Sequence, residues 1–187
     1  WLSRPAIEDH AQNHSWDGVV NLVVEGLRDV LLSWTEMDAP AAKAFLVPLL
    51  RDSSQIVRRV AIHVVDEKFA IFRNVVLGLL SPEFLESGHI HETYRFLKSH
   101  FGEFTLDEQR VTLDAIRTLT VKEGDDPDVR LHRLQRLWLS AIQGKGSTDA
   151  DKWFAELKAD KALGGMSLHP DFHSYMETHW GFGDSPY

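Results

Sequence analysis

The sequence predicts an all-α fold of antiparallel helix pairs. Three observations carry this. Apolar residues recur at i, i+3, i+4, i+7 along nearly the whole chain, the spacing of a helix face buried on one side. Sustained period-two alternation with β-branched runs, the mark of strands, is missing. Caps and helix breakers separate the apolar stripes at short intervals.

With 187 residues, 43% of them hydrophobic and 26% charged, the chain is long enough for one sizeable core. Its formal net charge of -8 argues against a nucleic-acid partner, because affinity for phosphate comes from clustered Lys and Arg. Arg58-Arg59 and the trio Arg130, Arg133 and Arg136 are the local basic exceptions. The absence of cysteine excludes disulfides, thiolate metal sites and a cysteine nucleophile. No apolar run approaches the ~20 residues that cross a bilayer, and the N-terminus lacks the layout of a signal peptide. A cytoplasmic protein with no membrane partner is expected. The start at Trp1 and the ending Gly-Phe-Gly-Asp-Ser-Pro-Tyr read as a piece of a longer protein.

The longest stripe, Val20, Val23, Val24, Leu27, Val30, Leu31 and Trp34, predicts a helix over residues 16–37, with Ser15 or Asp17 as its cap. After Asp38-Ala39-Pro40, residues 41–50 read as a shorter helix that Pro48 kinks or ends. Asp52-Ser53-Ser54 supplies turn and cap chemistry for a stripe of Val57, Val60, Ala61, Val64 and Val65. Phe72, Val75, Val76, Leu79 and Leu80 predict a fourth helix, stopped at Ser81-Pro82. Ile90, Tyr94, Leu97 and Phe101 form the next stripe. Thr105-Leu106-Asp107-Glu108 is a capping box ahead of Thr112, Ala115, Ile116 and Leu119. Beyond a break at 124–127 come Leu134, Leu137, Trp138, Ala141 and Ile142. The loop Gly144-Lys145-Gly146-Ser147 then leads to a last helix with Trp153, Phe154 and Leu157. From Gly164 the periodicity fades. The expected division is therefore a helical repeat domain over 1–163 and an irregular tail over 164–187 that packs on it or continues it. Short loops and roughly two helices per 40 residues fit stacked pairs, and a compact bundle is the competing layout.

The stretch from Leu49-Leu50 through Asp52, Val57-Arg58 and Ala61 resembles the turn and second helix of a HEAT repeat. The resemblance implies an α-solenoid in which Asp52 caps the second helix, Val57 and Ala61 pack the pair, and Arg58 bonds near the joining loop. The tail, with His169-Pro170-Asp171-Phe172, Tyr175, Trp180-Gly181 and Ser185-Pro186, is similar to helical regions of large bacterial multidomain proteins. Those proteins often carry an N-terminal nucleotide-hydrolysing module, and some act in antiphage defence. This likeness implies a sensor or scaffold segment and transfers no catalytic residue.

Each possible site has a plainer reading beside it. His169, His173 and His179 around Asp171 are candidate zinc ligands, but Pro170 disfavours a helix at His169, and a docking His-Pro turn is the alternative. His89, His91 and Glu92 miss the His-Glu-x-x-His pattern because Arg95 stands where its second histidine belongs, so a solvated helix start is expected. The order of residues in Gly144-Lys145-Gly146-Ser147-Thr148 is not that of a phosphate loop, which leaves a helix connection capped by Ser147 or Thr148. Arg130, Arg133 and Arg136 share a helix face that either lines an anionic groove or lies in solvent. Of the six tryptophans, Trp34, Trp138 and Trp153 belong to core stripes, while Trp1, Trp16 and Trp180 are placed to contact neighbours or a partner.

No nucleophile elbow or other catalytic constellation is legible, and no cofactor is implied. The expected function is a protein-interaction, sensing or scaffold segment of a larger bacterial cytosolic protein. Its partner would be another protein or other domains of the same chain, with Arg130, Arg133, Arg136 and Trp180 as possible contacts. Two alternatives come from other classes: a small metal-dependent hydrolase using the C-terminal histidines, and a self-contained adaptor bundle.

Overall fold

The computed structural model describes residues 4–11, 13, 18–85, 87–121 and 126–172. Among them the protein is helical, without a strand. Its α-helices are α1 (Val19–Met37), α2 (Ala39–Leu49), α3 (Gln55–Glu67), α4 (Phe69–Phe72), α5 (Ile90–His100), α6 (Leu106–Arg117), α7 (Pro127–Ile142) and α8 (Thr148–Ala159).

Local chemistry explains most of these boundaries. α1 begins after Gly18, whose φ of 127° is a conformation that favours glycine; the expected caps Ser15 and Asp17 lie outside the described residues. Asp38 closes α1 and opens α2, its Oδ1 accepting the Ala41 amide at 3.1 Å. α2 ends one residue past Pro48. Asp52 Oδ1 accepts the Ser54 amide at 2.8 Å, and Arg58 folds back onto the Asp52 carbonyl. The capping box before α6 is formed in both directions: the Thr105 side chain accepts from the Glu108 amide, and Glu108 Oε2 accepts from the Thr105 amide at 2.7 Å. α7 opens on Pro127, which loses nothing by lacking an N–H there.

The fourth helix departs from expectation. Only Phe69–Phe72 is α-helical, and the chain continues as 3-10 turns over Arg73–Gly78 and Pro82–Leu85. The β-branched Val75 and Val76 and then Gly78 weaken α-propagation, and short 3-10 turns are the usual connector. The stripe still reaches the core, since Phe72, Leu79 and Leu80 are buried.

α1 packs against α3, α3 against α5 and α5 against α7, so the odd-numbered helices follow one another in chain order. α2 leans on α1 and α3, and α6 and α8 on α7. One continuous core runs through them, with Leu31, Leu46, Ile62, Phe72, Phe96, Phe101, Ile116 and Trp138 fully enclosed.

Two irregular segments lie across this stack. The N-terminal one, with Ala6 and Ile7 wholly buried, is held by one side chain from each of three successive odd helices. Arg28 of α1 donates to the Ile7 carbonyl at 3.0 Å. Arg59 of α3 donates to the carbonyls of Arg4 and Pro5. Glu92 of α5 accepts the Ile7 amide at 3.2 Å. Arg59 and Glu92 also face each other in a two-pronged ion pair, Nε–Oε2 2.8 Å and Nη2–Oε1 2.9 Å, with side chains 4% and 2% exposed. A pair so buried is desolvated at high cost, and removing one partner strands the other charge. Arg59→Met or Glu92→Leu alone is expected to cost about 3–5 kcal/mol. The double variant should cost less than their sum by about 1–3 kcal/mol, measured by urea unfolding; strict additivity would show that the pair is not coupled.

Candidate functional site

Arg133 and Arg136 of α7 point at the chain itself. Arg136, 6% exposed, donates to the carbonyls of Leu163, Gly164 and Gly165 at 3.3, 2.8 and 3.3 Å, and Arg133 Nε donates to the Leu163 carbonyl at 2.9 Å. Their guanidinium groups thus fasten the start of the irregular tail; Arg136 is buried and lies neither in an anionic groove nor in solvent, whereas Arg133 keeps to the solvated face that the sequence also allowed. Arg130 lies one turn further from this bundle of bonds and is exposed. Trp180, with His173 and His179, lies outside the described residues.

His169 sits in a cleft of about 320 Å³ between the tail and α5, together with Glu8, His10, His91, Asp171 and Phe172. The residues 167–172 form a turned segment, the Phe172 amide donating to the His169 carbonyl at 3.2 Å, as the docking His-Pro turn requires. Among the described residues no three His, Cys, Asp or Glu side chains are grouped to hold a metal ion.

His89, His91 and Glu92 are a correction to the sequence reading. They are buried, at 2%, 6% and 3% exposure, and not in solvent. His91 Nδ1 stands 2.8 Å from Asp171 Oδ2, and its Nε2 stands 3.6 Å from Glu8 Oε1. The Phe172 ring packs against both His91 and His10, with centroids 4.3 and 4.9 Å away, and the two histidine rings also meet edge to face at 6.1 Å. The two terminal segments therefore meet over α5. Burial pushes the Asp171 carboxyl up, but the adjoining His91 ring brings it below its ordinary value. Burial and the neighbouring His91 lower the His10 imidazole. One turn along α5, Arg95 reaches Glu8, Glu67 and Asp66. Asp66 also pairs with His100 at 2.8 Å, and burial pushes its carboxyl up to about 6 against the pull of that histidine.

These groups form charge pairs with one another and with Glu8 and Asp171 of the irregular segments. The Gly144–Ser147 loop is likewise structural. Gly144 and Gly146 have φ of 69° and 97°, and the Ser147 side chain caps α8 by accepting from the Ala150 amide.

Among the described residues, the outer side of α1 carries a run of exposed apolar side chains. The stripe read from sequence divides: Val24 and Leu31 face the core with Arg28 and Thr35, whereas Val19, Val20, Leu22, Val23, Val30 and Met37 are 62–79% exposed. Phe45 of α2 extends this apolar surface, packing on Trp34 at 5.3 Å between centroids. Of the expected core tryptophans, Trp138 is fully enclosed and Trp34 and Trp153 are half-buried against the core. Among the described residues no helix is long and apolar enough to cross a membrane.

No protein-family model matches the chain, and comparison with curated proteins and with solved structures finds no match either.

His63 of α3 is 5% exposed, and burial lowers its pKa from the usual 6.5. A histidine lowered in the folded state disfavours folding as its unfolded form takes up a proton. Stability is therefore lost as pH falls below about 6.5 towards the folded value. Replacing it by the non-titrating His63→Phe is expected to flatten this loss. In thermal melts from pH 7 to pH 5 the variant should gain steadily on the parent protein; parallel curves would place the acid sensitivity elsewhere.

Proposed function

We propose that the chain is a HEAT-like helical segment that recognises a protein partner through the outer face of α1, with no catalysis of its own. The observation that carries this reading is the exposed apolar surface of α1. A monomer gains nothing by presenting four valines, a leucine and a methionine along one helix to water. Such surface is what the end of a stacked helical array offers to whatever docks next. The chain-order packing of α1, α3, α5 and α7 supports a repeat arrangement, and so does Arg58 bonding the Asp52 carbonyl in the HEAT-like turn. Several buried charged groups fit the non-catalytic reading, because Arg28, Arg59, Glu92 and Arg136 bond the backbone of the irregular segments. A cytoplasmic setting, within a larger bacterial protein of the kind the tail resembles, goes with this proposal.

The test uses the full chain in living cells with a photo-crosslinking amino acid at position 23 or 30, and at exposed Glu156 of α8 as control. Protein adducts are expected from positions 23 and 30 only. Val23→Glu with Val30→Glu should abolish co-purification of the same protein, while changing folding stability by less than about 0.5 kcal/mol, as for exposed sites. Absence of adducts at 23 and 30, or equal labelling at 156, would overturn the reading.

A further inference from the structure

The exposed face of α1 has a regular relief. Val19, Val23, Gly26, Val30, Ser33 and Met37 are all exposed and follow one another at alternating steps of four and three residues, the 3.5-residue period of a seam that holds a second helix. At about 1.5 Å per residue this seam is about 27 Å long. Gly26 and Ser33 are its low points, and nothing lies within 4 Å of where a Gly26 side chain would begin. The seam is also symmetric about its midpoint, residue 28. An identical helix laid along it in the opposite direction sets Val30 of the second copy over Gly26, Val23 over Ser33 and Val19 over Met37. Each low point then receives a valine, the large-on-small pairing that packed helices need. In-register parallel pairing sets Gly26 on Gly26 and Ser33 on Ser33, which leaves gaps where close packing is required.

The borders of the seam agree with this pairing. On one side run Val20, Leu27 and Trp34, with Phe45 of α2 packed on Trp34. The antiparallel arrangement brings Leu27 to Leu27 and Val20 to Trp34, so this border adds apolar contact. On the other side run Leu22, Asp29 and Glu36. Neither carboxylate arrives alone: Asp29 Oδ1 accepts Arg28 Nε at 2.7 Å, and Glu36 pairs with Lys68 of the same chain. The Asp29 side chains of the two copies face each other across the axis, each with its own arginine, at an exposed border where water and salt screen their repulsion. The face is also large enough. Val19, Val20, Leu22, Val23, Val30 and Met37 are 62–79% exposed. At about 100 Å² of accessible apolar surface each, they offer about 600 Å² per copy. An interface of standard size takes about 800 Å² per partner, about 65% of it apolar in homodimers.

Resting on the interaction reading above, we propose that the partner of the α1 face is a second copy of this chain, docked antiparallel about a two-fold axis beside residue 28. Such a contact uses the same patch on both copies and so closes at two, leaving no α1 face over for a third. What selects this occupant is the order of large and small residues along the seam, which is its own complement when reversed.

Sedimentation velocity of the full chain is expected to show a monomer–dimer equilibrium in the micromolar range. Val30→Glu should weaken it by about tenfold or more. Gly26→Leu is the sharper variant. It has room in the monomer and removes a glycine from a helix interior, so folding stability should be kept or raised. The dimer should nevertheless weaken by about tenfold, because the new side chain fills the place that Val30 of the second copy takes. The chain has no cysteine, so introduced cysteines report the direction of pairing. A mixture of the Val19→Cys and Met37→Cys variants should form the mixed disulfide under mild oxidation. Neither variant alone should link to itself, its two thiols lying about 27 Å apart. A monomer at every concentration, a dimer indifferent to Val30→Glu and Gly26→Leu, or self-linking of each single variant would overturn the proposal. A monomeric chain whose positions 23 and 30 still give adducts with a different protein would sink the second copy while leaving the interaction reading intact.

Discussion

The buried Arg59–Glu92 pair ties the molecule together. It joins α3 to α5, and both side chains also bond the N-terminal segment, so helix stacking and the seating of Ala6 and Ile7 become one event. The pair is not sustained by Coulomb attraction alone. Its remaining donors and acceptors are satisfied by the backbone of residues 4–7, the condition under which a charge pair tolerates removal from water. Arg28 adds α1 to the same arrangement through the Ile7 carbonyl.

The C-terminal irregular segment repeats this device at the other end of the stack. Arg133 and Arg136 hold residues 163–165 by their carbonyls, and Asp171 and Phe172 close over His91. A segment without secondary structure leaves its own carbonyls unpaired. Arginine, with several donors in a fixed fork, is suited to collect them. The charged residues of the interior are thus the counterpart of the irregular backbone lying against it, while the outer face of α1 is exposed.

Much of the helical content was legible because its signals are local. The box at Thr105 and Glu108 and the cap at Ser147 each act within four residues. What escaped reading depends on groups far apart in sequence. Glu92 reads as a polar residue near a helix start until Arg59 and Ile7 are brought beside it, and Arg136 reads as part of a basic face until residues 163–165 arrive. In α1 the stripe itself was plain. Its valines form two adjacent rows at seven-residue spacing, however, and periodicity does not say which row the core takes. The buried Arg28 decides it: its bonds to Ile7 and Asp9 turn Val24 and Leu31 inward and leave Val23 and Val30 in solvent. An arginine in the middle of an apolar helix, followed at once by an aspartate, was the one sequence signal of that rotation.

Native-state hydrogen exchange at the Ile7 amide, which donates to Glu92, tests most directly whether the N-terminal segment is locked to the helix stack. Protection comparable to that of the core amides of α3 and α5 is the expected result, since opening this bond strips the buried Arg59–Glu92 pair of the backbone partners it has in residues 4–7. Exchange as fast as in an exposed turn, with the α3 and α5 amides still protected, would contradict it.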